Sequence, residues 1–262
     1  MGKNVMPKQS KAIDPFQAFT YFVGFLIAMY LFLAHDPVYK EHRDKRNAPT
    51  TPTQPKAVLD SLPPLLSEES CAPFAEKVYA AYRPQEMKSR AWSVIPPGHR
   101  GDLNFNQVCD VFQHFNNWAY HNDPKGKDVI FPPQFAWDER FGDCDDRSVS
   151  LAAALGAIDC KVRLVGERFE AGWHLYPELL ILRDNLGDFT EYVTNRYYLD
   201  FDWQMAYRPD GNHQYVWVNL DWSAKHPGGA YNGLGEGYFM YPDEGKCTPF
   251  SNTNRNRYAK RR

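Results

Sequence analysis

The chain of 262 residues has no CxxC pair, no HExxH stretch, no internal repeat and almost no net charge. Its five cysteines stand at 71, 109, 144, 160 and 247, too scattered for a zinc ribbon or a thioredoxin-type redox pair. His114 and His121 are seven residues apart, which makes metal-based hydrolysis the least favoured chemistry. A formal net charge of -2 gives no general drive toward nucleic acid, and none is expected as a partner. Residues 18–34 lack any charged side chain, and residues 246–262 lack any acid. The odd cysteine count leaves two readings open. In an exported domain one thiol stays free for chemistry while the other four form up to two disulfides; in a reducing compartment all five are buried or inert.

What is present begins with an apolar fraction of 43%, enough for one cored domain with appendages or two small domains. Aromatics reach 15%, which suits an aromatic-lined groove or plain packing alike. The uncharged run, extended by Phe16 and His35, is expected to be a transmembrane helix over residues 16–35 after a tail of residues 1–15. A cleaved signal peptide would fit Lys3, Lys8 and Lys11, but Phe32 stands two before Ala34 where cleavage needs a small residue. A buried core helix is disfavoured by polar flanks on both sides. Lys40, Arg43, Lys45 and Arg46 lean toward a cytoplasmic C-terminus by the positive-inside rule. The short N-terminal tail and the odd cysteine lean the other way, and the expectation is a single-pass membrane protein with an exported domain. Residues 36–68 carry six prolines and read as an extended spacer. Residues 69–245 form the expected domain. The basic residues 246–262 are expected to be a disordered tail, with anionic lipid or nucleic-acid contact as a minor alternative.

Within the domain, residues 73–82 place Phe74, Val78 and Tyr82 four apart, a helical spacing. Residues 106–120 gather Val108, Val111, Phe112, Phe115, Trp118 and Ala119 on one helical face, with Asn104 or Asn106 available as a cap. Residues 121–140, with Pro124, Pro132 and Pro133, read as a loop. Residues 144–155 read as a helix stopped by Gly156. Residues 161–165, 173–182 and 214–221 read as strands, with residues 192–198 as a further candidate. Helices first and strands afterwards predict an α+β fold.

The most informative stretch is Gly142-Asp143-Cys144-Asp145-Asp146. It sets a cysteine where a glycine turn meets a helix start, where unpaired N–H groups and the dipole's positive end favour a thiolate. Acyl chemistry also needs an imidazole within reach and a third group to orient it. His174 lies in an alternating strand with Tyr176 and Glu178 on the same face, and Asp221 ends another strand. Asp184 and Asp200 are weaker orienters because neither ends a clear apolar strand. The Cys144 N–H is the first expected oxyanion donor, with Gln134 or Trp137 as the second. Asp145 and Asp146 complement the helix dipole; no EF-hand spacing occurs, and calcium at the Asp143, Asp145 and Asp146 cluster is a minor alternative to the expectation of no cofactor.

The Gly-Asp-Cys-Asp-Asp stretch and its Leu/Ala helix resemble the nucleophile motif of the transglutaminase-like superfamily. Trp173-His174 is similar to its histidine strand, and Trp217-Val218-Asn219-Leu220-Asp221 to its last motif. The likeness covers roughly residues 105–225, includes Asp123-Pro124 and the Pro132-Pro133 approach, and is nearest in pattern to the bacterial transglutaminase-like cysteine proteinases. It implies a papain-like α+β core in which a helix bearing Cys144 packs on an antiparallel sheet bearing His174 and Asp221. This chain departs from the pattern at Leu175 and in a long stretch, residues 183–213, between the last two motifs.

Three functions follow in order. The first is a membrane-anchored cysteine protease or amidase, or an acyl-transferase if an amine replaces water, acting on a protein or peptide. The second is a non-catalytic scaffold or peptide-binding module on the same fold. The third is metal-based hydrolysis.

Overall fold

A computed structural model describes residues 67–123, 129–170, 172–251 and the backbone of residues 257–260. The expected membrane helix over residues 16–35 and nearly all of the spacer lie outside the described residues. No helix among the described residues is long and apolar enough to cross a membrane.

Helix α1 (Glu68–Ala81) starts at Ser67, whose side chain takes the Ser70 N–H while Ser70 Oγ takes the Ser67 N–H. This capping box begins the helix five residues before Pro73. Helix α2 (Pro84–Ser93) opens on proline, which supplies no N–H where none is needed, and buries Met87 and Ala91. Helix α3 (Phe105–His114) is capped by Asn104, which accepts the Gln107 N–H at 3.2 Å. The expected helix over residues 106–120 therefore stops early. A 3-10 turn (Phe115–Asn117) follows, and Ala119–Tyr120 becomes a short strand, β1. The predicted apolar face is nonetheless buried from Val108 through Trp118.

Residues 121–140 are not wholly a loop: helix α4 (Pro133–Glu139) lies inside them, with Pro133 as its first residue. Strand β2 (Phe141–Gly142) pairs parallel with β1 and leads straight into helix α5 (Cys144–Gly156). Helix α5 is the centre of the molecule. It packs on α2, α4 and α3 on one side and on the sheet on the other, and eleven of its thirteen residues are buried.

The seven-stranded sheet is antiparallel throughout. It contains β3 (Val162–Phe169), β4 (Gly172–Leu182), β5 (Gln204–Pro209), β6 (Tyr215–Asn219), β7 (Glu236–Tyr241), β8 (Lys246–Ser251) and β9 (Arg257–Lys260), in the order β8-β7-β3-β4-β6-β5-β9. Residues 192–198 are not a strand: helix α6 (Leu186–Arg196) buries Leu186, Phe189, Thr190 and Val193, the i, i+3, i+4, i+7 pattern of one helical face. Residues 246–262 are not wholly a disordered tail, because β8 pairs with β7 and β9 pairs with β5, closing both edges of the sheet with basic chain. The α+β class holds.

One disulfide, Cys71–Cys247, joins α1 to β8, while Cys109, Cys144 and Cys160 are free.

Candidate active site

Cys144 is the first residue of α5, and the local sequence explains why the helix starts there. Asp143 is extended (φ -89, ψ -157), and its carboxylate accepts the Asp145 N–H at 3.3 Å. Asp146 reaches back to accept the Asp143 N–H at 3.3 Å, completing a capping box made of two aspartates. Gly142 has φ 145°, and a side chain there would meet Asp146 Cβ at 2.5 Å, so glycine is required on both counts. The other Asp146 oxygen accepts the Phe131 N–H at 2.7 Å, tying the preceding loop to the helix start. Cys144 is half-buried, whereas Cys109 and Cys160 are buried, and burial pushes both of those thiols up to about 12.

His174 lies near the start of β4, and the Ser148 hydroxyl donates to the Leu175 carbonyl at 2.7 Å, fixing α5 against that strand. The register of β4 with β6 pairs Glu178 with Asn219, and the Leu220 N–H donates to Pro177 O at 3.0 Å. Asp221 is thereby delivered alongside His174. Its N–H donates to Asn219 Oδ1 at 2.9 Å, and its Oδ1 accepts the Ser223 N–H at 2.9 Å. Its remaining oxygen, Oδ2, lies 3.1 Å from His174 Nε2. Asp184 and Asp200 are not the partners of this ring; Asp221 is. Burial works against a charge on His174, but hydrogen bonds to Asp221 and to the Cys144 thiol outweigh it and push the imidazole up to about 10. With Nε2 facing Asp221, Nδ1 is the nitrogen left for Cys144. Phe169 and Trp222 stand edge-on to the ring at 5.2 and 5.9 Å and screen it from water.

The flanking acids behave differently from one another. Burial, a hydrogen bond with Asp143 and the charge of its neighbours push Asp145 up to about 10, so it holds its proton at neutral pH. Burial also pushes Asp146 up, to about 6, against the pull of its two amide donors. Carboxylate oxygens of Asp143, Asp145 and Asp146 lie within 4.8 Å of one another. Hard oxygens suit calcium, but both Asp146 oxygens already accept amides.

Arg147, one turn on from Cys144, escaped the sequence reading. It is 2% exposed, donates to the Trp118 carbonyl and stacks 4.3 Å from the Trp222 ring. Helical spacing places it beside Cys144, but a buried arginine on an apolar helix carries no signal in the sequence that separates it from a surface residue.

Cys144, His174, Leu175, Trp173 and Tyr238 line a cleft of about 570 Å³ together with Tyr120 and residues of α1. The expected second oxyanion donors are not there. Gln134 donates to Glu86 Oε2 at 2.5 Å in a separate hollow, and Trp137 packs against His114 at 4.0 Å in an aromatic cluster with Phe115 and Trp118. Both sit on α4, which turns these two side chains toward α2 and α3 and away from Cys144.

No known protein-family profile matches the chain, and no curated protein matches it. Among solved structures, a protein from Cytophaga hutchinsonii provisionally assigned as a cysteine protease aligns at 16% identity with a TM-score of 0.31, over 52% of this chain and 43% of that one. LapG of Legionella pneumophila, in EGTA-treated form, aligns at 15% identity with a TM-score of 0.32, over 76% of this chain and 88% of that one. At such scores neither superposition defines a common fold, so the α+β description rests on the chain's own elements.

Proposed function

We propose that this chain is a transglutaminase-like cysteine hydrolase that cleaves peptide amides through Cys144, His174 and Asp221. Support comes from one arrangement: an imidazole held between a carboxylate at 3.1 Å and the thiol of a helix-start cysteine, at the wall of an open cleft. Asp221 orients and charges the ring. His174 takes the sulfur's proton, and the helix start and the imidazolium stabilise the anion left on sulfur. The sulfur attacks the amide carbon, and the carbonyl oxygen becomes an oxyanion. The Asp145 and Asp146 amides are occupied by carboxylates. The Cys144 N–H therefore remains as the donor nearest the reacting carbon. His174 passes its proton to the leaving amine as the C–N bond breaks, giving a thioester. His174 then takes a proton from water, hydroxide attacks the thioester carbon, and the acid leaves as the sulfur is regenerated. A primary amine in place of water would give transamidation.

A peptidyl electrophile selective for thiols tests the nucleophile. It is expected to label the wild type once, at Cys144, and to leave Cys144→Ala unlabelled, with peptide turnover lowered by about 10³-fold or more in that variant. Equal labelling of both proteins would remove Cys144 from the chemistry. Full phenotypic rescue by Cys144→Ala would favour the scaffold instead.

We also place this reaction on the exported side of a membrane, with residues 16–35 as the tether. The Cys71–Cys247 disulfide supports an oxidising compartment. Protease protection of the domain in sealed cells, lost on permeabilisation, is the expected result.

A further inference from the structure

Three features of the cleft are not demanded by the fold. Gly166, on β3, lines it, yet a side chain there would meet nothing closer than Met240 Cε at 3.5 Å, an ordinary contact. Packing therefore does not require glycine at 166, and its bareness leaves the cleft floor open. Trp173 is 53% exposed while its ring stacks on Tyr238 at 5.7 Å with planes 20° apart. The two side chains come from strands on either side of β3, and the buried Tyr238 backs the exposed Trp173 ring as a flat aromatic wall. Among the described residues, strand β1 is paired on one edge only. Its ladder with β2 uses the N–H of Ala119, donated to Arg140 O at 2.9 Å, and that of His121, donated to Gly142 O at 3.2 Å. The N–H and C=O of Tyr120, between them, face the opposite edge. Tyr120 also lines the cleft.

We infer that the cleft takes an extended peptide, added as a strand to the open edge of β1 at Tyr120, with a bulky apolar or aromatic side chain laid over Gly166 against the Trp173–Tyr238 stack. This names the substrate class for the reaction proposed above and rests on that proposal. Backbone pairing supplies affinity and the pocket supplies selection, as in other strand-addition sites.

Peptide display on Cys144→Ala, which cannot turn over what it holds, reads the occupant directly. Retained peptides are expected to share Phe, Tyr, Trp or Leu at one fixed position. N-methylating single amides of the best peptide is expected to weaken binding by about tenfold at the one position that pairs with the Tyr120 carbonyl, as loss of one ladder bond does. Adding Gly166→Val should cost at least as much with an unchanged Tm, and adding Trp173→Ala, at an exposed site, should erase the aromatic preference. Retention of no peptides, no positional preference, or equal retention by both added variants would overturn the inference. Turnover by the wild type is a separate readout. Peptides that bind as expected but stay intact would defeat the hydrolase and leave this site standing. Turnover indifferent to the aromatic position would do the reverse.

Discussion

His174 would lose its charge to burial were it not for Asp221 and Cys144, which together hold its proton up to about 10 against an ordinary 6.5. In that window the native state binds the proton more tightly than the unfolded chain. The resulting stability is fully present below pH 6.5 and is lost as pH rises through about 10. Between those limits the wild-type Tm is expected to fall more steeply than that of His174→Gln, measured by thermal melts in matched buffers; parallel slopes would mean the ring has no such partners in solution. Asp145 gives a second residue-level expectation. Because it holds its proton at neutral pH, Asp145→Asn should leave the Tm in EGTA within about 2 °C of wild type, the amide replacing a neutral acid. A calcium-induced rise in Tm that the variant loses would show a cation in place of the proton. At this scale the sequence was most legible where chemistry resides in residue type: a cysteine after Gly-Asp, a histidine in an alternating strand and an aspartate at a strand's end do meet. It was least legible for groups whose role depends on direction. Gln134 and Trp137 lie close to Cys144 in sequence, but α4 turns both away.

Among the elements, α1 has a position its sequence does not announce. Ser70, Cys71 and Phe74 form one wall of the cleft, held by the disulfide to Cys247, by Ser70 Oγ to the Tyr238 hydroxyl at 2.7 Å and by the Tyr79 hydroxyl to Lys246 O at 2.5 Å. All three ties reach β7, β8 or the turn between them. Cys247→Ser is therefore expected to lower stability by about 2–4 kcal/mol, the usual effect of removing a long-loop disulfide. It should also raise KM for peptides more than it lowers kcat, because it loosens a wall and leaves the triad in place. Steady-state kinetics on a fluorogenic peptide separates the two; a loss confined to kcat would place α1 in the chemistry instead. The tether was unreadable because five cysteines admit several pairings and the basic composition of residues 246–262 mimics a solvated end. Helix α6 was missed for a related reason: Tyr192, Val193 and Thr194 are strand-formers, yet Thr190 and Thr194 return their hydroxyls to the carbonyls of Leu186 and Thr190, both at 2.7 Å, and lie along the helix without cost to the core.

Across the whole molecule, the sheet face away from α5 is held by ions set among a small apolar cluster of Val165, Tyr176, Ala206, Tyr231 and Phe250. Arg163 on β3 binds Glu178 on β4 at 2.7 Å, and Arg208 on β5 binds Glu178 and, at 3.0 Å, Glu167 on β3. Tyr231, from the segment after Asp221, adds its hydroxyl to Glu178 at 2.8 Å, and Tyr176 adds its own to Glu167. Two arginines and two glutamates, all buried, balance in charge. Alternation along β4 predicted that His174, Tyr176 and Glu178 share a face; what covers that face could not be read, since the partners come from three other parts of the chain. Glu178 is the hub, and its place four residues from His174 joins β4 to the segment after Asp221 through Tyr231. Burial would raise its pKa, but Arg163 and Arg208 outweigh burial and lower it below the ordinary 4.5. Its stabilisation is therefore present above pH 4.5 and is lost as acid brings the solution down through the lowered folded value. Removing one partner of a buried ion set strands the others, so Glu178→Gln is expected to cost about 3 kcal/mol in urea unfolding at neutral pH. Its acid-unfolding profile should also be shallower than wild type, since the group that titrates is gone. Because the variant leaves the strand backbone intact, molecules that remain folded should keep an unaltered Cys144 labelling rate. A labelling rate that falls with the network, in protein shown to be folded, would mean that the ions set the position of His174 and not merely the stability of the sheet beneath it.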